Sequence, residues 1–164
     1  MGKIDEGVCR YKHCLHDNRK LLKSESVKVG SQYYHKDCYK AKCQIEELID
    51  YFVKELNPDV IYPVLMKTID NICYPKKKKG ISPDRLLFQV KYHCSHGHKI
   101  QYPPGLYYAI QDREAYEAYL EHKARRIVKA IVTEENSEPE DLAQSQMKKV
   151  KIQKQKGFED ILGG

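Results

Sequence analysis

Apolar side chains recur every three or four residues through the middle of the chain, which is the period of an amphipathic helix. The first such stripe comprises Ile45, Leu48, Ile49, Phe52, Val53 and Leu56. Asn57-Pro58-Asp59 ends this helix and can cap the next one, because proline fits a first helical turn and Asn or Asp accepts hydrogen bonds from its free amides. A second stripe comprises Ile61, Val64, Leu65, Ile69 and Ile72. The pattern therefore predicts two neighbouring helices, each with one buried side.

A third helix is predicted from Ser82-Pro83-Asp84, through Leu86, Leu87 and Val90, to a point near Gly97. The prolines of residues 99–110 exclude a central strand. An extended turn or a short hairpin, such as the wing of a winged helix, is expected there. Asp112 then caps a long fourth helix, and its predicted inner face comprises Tyr116, Leu120, Ile127 and Ile131.

Residues 3–38 differ from the rest, because they are rich in Cys, His, Lys and Tyr and show no long apolar periodicity. Such a segment cannot fold by apolar burial alone, which is typical of a metal-dependent module. Its cysteines and histidines follow the spacing C-x4-C-x20-H-x2-C, formed by Cys9, Cys14, His35 and Cys38. Thiolate and imidazole ligands in a set of four are what zinc prefers. We therefore predict one structural Zn²⁺ ion at these residues.

The exact ligand set leaves alternatives open. His13 or His16 could replace Cys14, and Cys43 could replace Cys38 or His35. His35 and Cys38 are three residues apart, so the first turn of a helix beginning near Lys36 can direct both toward one point. Four good ligands would leave no open position, which favours a structural ion over a catalytic one.

A second group of candidate ligands lies around residues 93–98. Cys94, with His96, His98 and Cys73, could form another metal site. The simpler interpretation is that Cys94 is a small core residue at a helix end, where the histidines cap backbone carbonyls. Only Cys73 is available from elsewhere in the chain, and no second pair of closely spaced ligands occurs as in the first site. The simpler interpretation is therefore favoured.

The composition adds the cellular setting and the class of partner. The chain has 164 residues with 32% charged residues and a net charge of +6. No apolar run approaches the length of a membrane helix, and the N-terminus lacks the apolar centre of a secretory signal, so we expect a cytoplasmic protein without a membrane partner. Reduced thiols there favour metal ligands over disulfides. The positive charge mildly favours anionic partners, nucleic acid first.

One stretch carries a family resemblance. Tyr33-Tyr34-His35-Lys36-Asp37-Cys38, preceded by a cysteine pair and followed by a helical domain, resembles small zinc-finger proteins of phages and prophages of Gram-positive bacteria, often labelled rRNA-biogenesis-like. The similarity extends from residue 9 to about 120 and includes Ile100-Gln-Tyr-Pro-Pro-Gly-Leu-Tyr107. The first half of a LIM domain has a similar ligand order, with a closer first pair. The resemblance implies phage origin, host-cell cytoplasm and a zinc module, but no established activity.

These observations predict a mainly α fold: an N-terminal zinc finger with a small β-hairpin, followed by a helical core. That core could be a small bundle or a helix-turn-helix variant such as a winged helix. The expected divisions are a zinc-finger module over residues 1–38, a helical core over 39–132 and an acidic linker with a basic, amphipathic tail over 133–164.

Three classes of function follow from the side chains. Phosphate contacts are predicted for Lys76, Lys77, Lys78, Lys79, His122, Arg126 and Lys129. They favour a protein that binds nucleic acid, DNA rather than RNA, or a host nucleoprotein complex. Tyr33, Tyr34, Tyr107 and Tyr108 could stack on unpaired bases.

The alternative is a modulator or inhibitor of a host polymerase, nuclease or defence system such as CRISPR, acting through direct protein contacts. The candidate docking residues are Phe158, Ile161 and Leu162, apolar anchors among acidic residues near the C-terminus. Catalysis is the least favoured class, because no phosphate-binding glycine loop, HExxH or Gly-x-Ser-x-Gly motif occurs.

Overall fold

Short strands come first in the computed structural model, which describes residues 5–77 and 79–135. Strands β1 (Glu6–Val8) and β2 (Lys20–Leu22) form one antiparallel pair, and β3 (Val27–Val29) and β4 (Gln32–Tyr34) form another. Val29 pairs with Gln32, so the second hairpin has a two-residue loop. Gly30 opens this loop with a φ of +59°, which glycine adopts without a Cβ clash.

Five α-helices follow in the described part of the chain. They are α1 (Lys36–Tyr51), continued by a π-helical turn at Phe52–Leu56, then α2 (Tyr62–Cys73), α3 (Pro83–Ser95), α4 (Leu106–Gln111) and α5 (Arg113–Glu135). The predicted fold class, mainly α with a small N-terminal hairpin module, is confirmed. Ser82 starts α3 as predicted, because its Oγ accepts a hydrogen bond from the Arg85 amide.

The helical core uses most of the predicted apolar stripes. Its most buried members include Leu48, Phe52, Leu65, Ile69, Leu86, Val90 and Leu106. The stripe of α2 was wrong at its start, because Ile61 and Val64 are exposed. Ile61 precedes the helix as its N-cap, and burial begins one turn later, at Leu65.

The segment predicted as a wing is helical. Pro103–Gly105 form a 3₁₀ turn that leads directly into α4. Proline excludes a central strand, but it is equally suited to a first helical turn, where its missing N–H costs nothing. The buried Gln89 amide donates hydrogen bonds to the carbonyls of Ala109 and Asp112, which satisfies the end of this six-residue helix.

The predicted inner face of the last helix was also wrong. Among residues 113–133 of α5, Ala115 and Tyr119 are buried, whereas Leu120, Ile127 and Ile131 are each about half exposed. Tyr116 is partly buried, with the Arg85 guanidinium 4.1 Å from its ring centroid.

The chain divides into two compact units, one through Tyr119 and one from Leu120 onward. The predicted boundaries at residues 38 and 132 stay predictions. Within residues 5–77 and 79–135, no helix combines the length and apolar character needed to cross a membrane. Phe158, Ile161 and Leu162 lie outside the described residues.

Candidate metal centre

The four predicted ligands are brought together by the two hairpins and the start of α1. Cys9 follows β1, and its amide donates to the Arg19 carbonyl at 2.8 Å across the hairpin. Cys14 lies in the loop between β1 and β2. His35 directly precedes α1 in extended conformation, and Cys38 lies in the first helical turn. This is the arrangement that the His-x2-Cys spacing predicts.

The ligand atoms of Cys9, Cys14, His35 and Cys38 all lie within 4.8 Å of one another. The Sγ atoms of Cys14 and Cys38 are 3.8 Å apart. His35 Nδ1 lies 3.5 Å from Cys14 Sγ and 3.8 Å from Cys38 Sγ. Cys9 and Cys38 are almost fully buried. Their proximity and donor set are compatible with a metal site.

Backbone amides are directed at two of the sulfurs. Burial opposes ionisation of Cys9, but hydrogen bonds from the backbone N–H groups of His35 and Tyr11 hold the pKa of its thiol below the ordinary value. The Leu15 amide donates to Cys38 Sγ at 3.4 Å. Burial nevertheless raises the pKa of the Cys38 thiol to about 12. A metal ion bound here would therefore displace a proton from Cys38.

The second nitrogen of His35 sets the orientation of its ring. Nε2 lies 2.9 Å from the carbonyl oxygen of Lys20, which can only accept a hydrogen bond. Nε2 must therefore carry the proton, leaving the lone pair of Nδ1 directed at the sulfurs. Such a carbonyl contact is what usually fixes the tautomer of a metal-binding histidine.

The alternative ligands have other partners. His13 stacks on Tyr74 and lies 3.0 Å from an Asp70 oxygen. Cys43 lies further along α1, close to Tyr39. His16 is the closest competitor, because it forms a second, overlapping group with His35, Asp37 and Cys38. Its Nε2 is 3.1 Å from an Asp37 oxygen.

The segment that holds the four candidate ligands, residues 5–38, is called the metal module below. It contacts the C-terminal end of α2 through hydrogen bonds and stacked rings. The hydroxyls of Tyr11 and Tyr74 are 2.8 Å apart. Asp70 accepts from Lys12 at 2.6 Å through one oxygen and lies 3.0 Å from His13 through the other. Contacts between the loop before Cys14 and α2 thus join the module to the helical core.

The structure rearranges the second predicted group. Cys73 is buried in the core, and the partly buried Cys94 lies close to Tyr51. His96 stacks on Tyr92, with its Nδ1 2.8 Å from that residue's carbonyl, as the capping interpretation expected. His98 instead lies close to His93 and Asp112, which the sequence did not indicate as ligands, with one ligand atom of each residue within 4.8 Å of the other two. His93 and Asp112 are in contact although they are 19 residues apart in the sequence. At that separation, no local spacing pattern could have indicated a shared site.

The predicted phosphate-binding residues occupy two places. Lys76, Lys77 and Lys79 are exposed in the loop between α2 and α3, and Lys78 lies outside the described residues. In the second unit, the exposed positions His122, Arg126 and Lys129 follow one another at helical spacing on α5.

The tyrosines predicted to stack on bases differ in exposure. Tyr34 is buried, so its predicted base-stacking role was wrong, and Tyr33 is half-buried near the Lys23 and Lys28 ammonium groups. Tyr107 and Tyr108 on α4 are exposed, at 38% and 71%.

Comparisons of this chain with protein-family models, with curated proteins and with solved structures gave no match.

Proposed function

We propose that Cys9, Cys14, His35 and Cys38 hold a structural Zn²⁺ ion. The observation that carries this is the spacing of the ligand atoms. Zinc–sulfur bonds of about 2.3 Å and a zinc–nitrogen bond of about 2.0 Å place two tetrahedral sulfurs about 3.8 Å apart, and sulfur and nitrogen about 3.5 Å apart. The separations from Cys14 Sγ are 3.8 Å to Cys38 Sγ and 3.5 Å to His35 Nδ1.

The role proposed for this ion is structural. Three sulfurs and one imidazole complete a tetrahedron, so no coordination position remains for a substrate or an activated water. The ion would join two hairpins whose strands are only three residues long to the first turn of α1. Such short strands have little apolar surface to bury, and metal binding supplies the missing free energy.

For the whole chain, we propose a nucleic-acid-binding accessory protein, of phage or prophage origin by its resemblance. The support is the run Lys76 to Lys79, four like charges in a stretch of sequence that has no acidic residue between Asp70 and Asp84. Its described lysines are exposed between two helices of the core. Such a loop suits contacts with phosphates, and Tyr107 and Tyr108 offer exposed rings for unpaired bases.

The test compares two variants of equal charge. Lys76 to Lys79 are changed to Gln in one, and four exposed lysines elsewhere, Lys28, Lys40, Lys67 and Lys99, are changed to Gln in the other. Binding to single- and double-stranded DNA and RNA is measured against salt concentration. We expect the loop variant alone to flatten the salt dependence, by up to about 0.7–0.9 in slope per lost phosphate contact. Equal effects of both variants would remove the loop from the binding surface.

A second candidate function, a modulator that binds a host protein complex, is favoured by the last helix. Ile127, Val128, Ile131 and Val132 on α5 are each about half exposed. A concentration of exposed branched apolar side chains is typical of a protein contact. A pull-down from host lysate with and without nuclease separates the two functions. A dominant protein partner that survives nuclease and is lost with Ile127→Ser and Ile131→Ser would support the modulator.

A further inference from the structure

A second cluster of metal-binding side chains lies outside the cysteine centre. His93 is in the last turn of α3, His98 follows that helix, and Asp112 stands between α4 and α5. One ligand atom from each lies within 4.8 Å of the other two. The end of α3 and the residue before α5 therefore bring two imidazoles and a carboxylate close together.

A left-handed turn returns His98 to the end of α3. Gly97 has a φ of +88°, a conformation that residues with a Cβ rarely adopt. The Gly97 amide donates to the Cys94 carbonyl at 3.1 Å, and the His98 amide donates to the His93 carbonyl at 3.3 Å. The His98 ring consequently stacks on the His93 ring, with centroids 4.2 Å apart and an angle of 13° between the planes. A metal ion lies in the plane of each imidazole that binds it, so the exposed His98 ring would turn out of this stack to share an ion with His93.

Asp112 is held in place by its own helix. Its Oδ1 accepts a hydrogen bond from the Ala115 amide at 3.1 Å, which caps the start of α5. Its Oδ2 is then directed at His93 Nδ1, 2.7 Å away. The side chains of His93 and Asp112 are only 14% and 18% exposed. Two of the three ligands are therefore well ordered before anything binds.

We propose that His93, His98 and Asp112 bind a divalent transition-metal ion of the zinc or cobalt type. Neutral imidazole nitrogens with one carboxylate oxygen suit such ions, whereas Mg²⁺ and Ca²⁺ prefer oxygen ligands alone. On binding, the proton of His93 Nδ1 leaves to solvent, and the ion takes its place between that nitrogen and Asp112 Oδ2. This inference does not depend on the proposed nucleic-acid binding.

The surroundings leave this ion accessible, in contrast to the cysteine centre. An open groove of about 450 Å³ adjoins the cluster and is also lined by Tyr108, Gln111, Arg113 and Glu114. Three protein ligands leave at least one coordination position, which water or an incoming ligand can occupy. We therefore expect weaker and more exchangeable binding than at the four-ligand centre.

His98 is the residue that distinguishes a metal site from an ordinary ion pair. A pair between His93 and Asp112 would be enough to fasten α3 to the start of α5. Such an ion pair would not need a third polar side chain, so His98→Gln should then leave the Co²⁺ affinity of the chain unchanged. A metal ion, by contrast, would lose one of its three protein ligands.

The experiment uses the full chain loaded with one equivalent of Zn²⁺ and then titrated with Co²⁺. Zinc stays at the thiolates, because such sites bind it more tightly than cobalt. Bound Co²⁺ is followed by its visible absorption and by metal analysis after desalting. The variants are His98→Gln and Asp112→Asn, with His96→Gln as the matched control, since His96 stacks on Tyr92 outside the cluster.

We expect the unaltered chain and His96→Gln to bind one Co²⁺ ion without a sulfur-to-cobalt charge-transfer band. Affinity should fall by at least about 10-fold in His98→Gln and Asp112→Asn, the size seen even for the loss of a supporting contact. Absence of Co²⁺ binding in the zinc-loaded chain would overturn the proposal, as would equal affinity in His98→Gln and the control. A charge-transfer band would place the cobalt at the cysteines and would equally overturn it.

Discussion

The metal module and the helical core represent two ways of stabilising one chain. In the module, strands of three residues surround Cys9, Cys14, His35 and Cys38, and two of these ligands are among its most buried side chains. In the core, long helices bury Phe52, Leu65 and similar side chains completely. With the proposed zinc ion bound, the first region would depend on ligand bonds, whereas the second depends on apolar burial.

This difference also determines how each region responds to the substitution of one side chain. A ligand acts as part of a set of four, so the loss of one member weakens the whole site. An apolar side chain acts mainly through its own volume, so its loss leaves a local cavity. The two regions are continuous along α1 and share one cluster of buried side chains. They also meet through the polar contacts of Tyr11, His13, Asp70 and Tyr74.

The largest expected effect comes from removing a metal ligand. Cys38→Ser should eliminate the bound zinc and unfold the module, because structural sites contribute on the order of 10 kcal/mol of apparent binding free energy. The helices α2 to α4 should keep most of their protection. Metal analysis and hydrogen exchange, resolved along the chain, measure both. Cys43→Ser on the same helix is the matched control. Full metal content in Cys38→Ser would refute the ligand assignment, and loss of protection throughout would refute the contrast between the regions.

The sequence was most informative where the ligands follow local spacing. Cys9 with Cys14 and His35 with Cys38 each lie within one turn or loop, so their convergence could be predicted from few residues. The exposure of Ile61 and Val64 could not be predicted from the sequence, because it depends on how far the packing of neighbouring helices extends along α2. Pro103 was ambiguous, since proline disfavours a strand and also starts a helical turn. His93 and Asp112 meet through tertiary packing alone.

A cavity in the core should have the next largest effect. Phe52 is fully buried, and Phe52→Ala should lower the free energy of unfolding by about 3–5 kcal/mol. Zinc stoichiometry should stay the same, because the ligands are held by the module. Denaturant unfolding and metal analysis are the measurements, with the partly exposed neighbour in Val53→Ala as control. Loss of zinc from Phe52→Ala would show that the core also holds the ligands in position.

The contact between the regions should have a smaller effect. Tyr11→Phe and Tyr74→Phe each remove one hydroxyl of the 2.8 Å pair and leave the other without its partner. Each should cost about 1–3 kcal/mol, and the double variant should cost less than the sum of the two. A double-mutant cycle of unfolding free energies measures this coupling. Strictly additive effects would mean that the two hydroxyls contribute nothing jointly and that the regions are more independent than the contact suggests.

The smallest effect concerns a cysteine that belongs to the core and not to the metal centre. Burial raises the pKa of Cys73 to about 12, compared with about 9 in an unfolded chain. Between these values the unfolded state binds fewer protons than the folded state, so stability should fall as pH rises. By pH 10 the loss from this group should be about 1 kcal/mol.

Cys73→Ala in the zinc-loaded protein should therefore show a shallower decline in unfolding free energy between pH 7 and pH 10. Burial also raises the pKa values of Tyr11 and Tyr74, but both proteins retain these groups, so their contribution cancels in the difference. Phe52→Ala is the control, since it is destabilised without losing a titrating group. An equal decline in Cys73→Ala and the unaltered chain would show that the Cys73 thiol ionises as easily in the folded core as in water. Burial in the helical core would then be less complete than the contrast with the metal module requires.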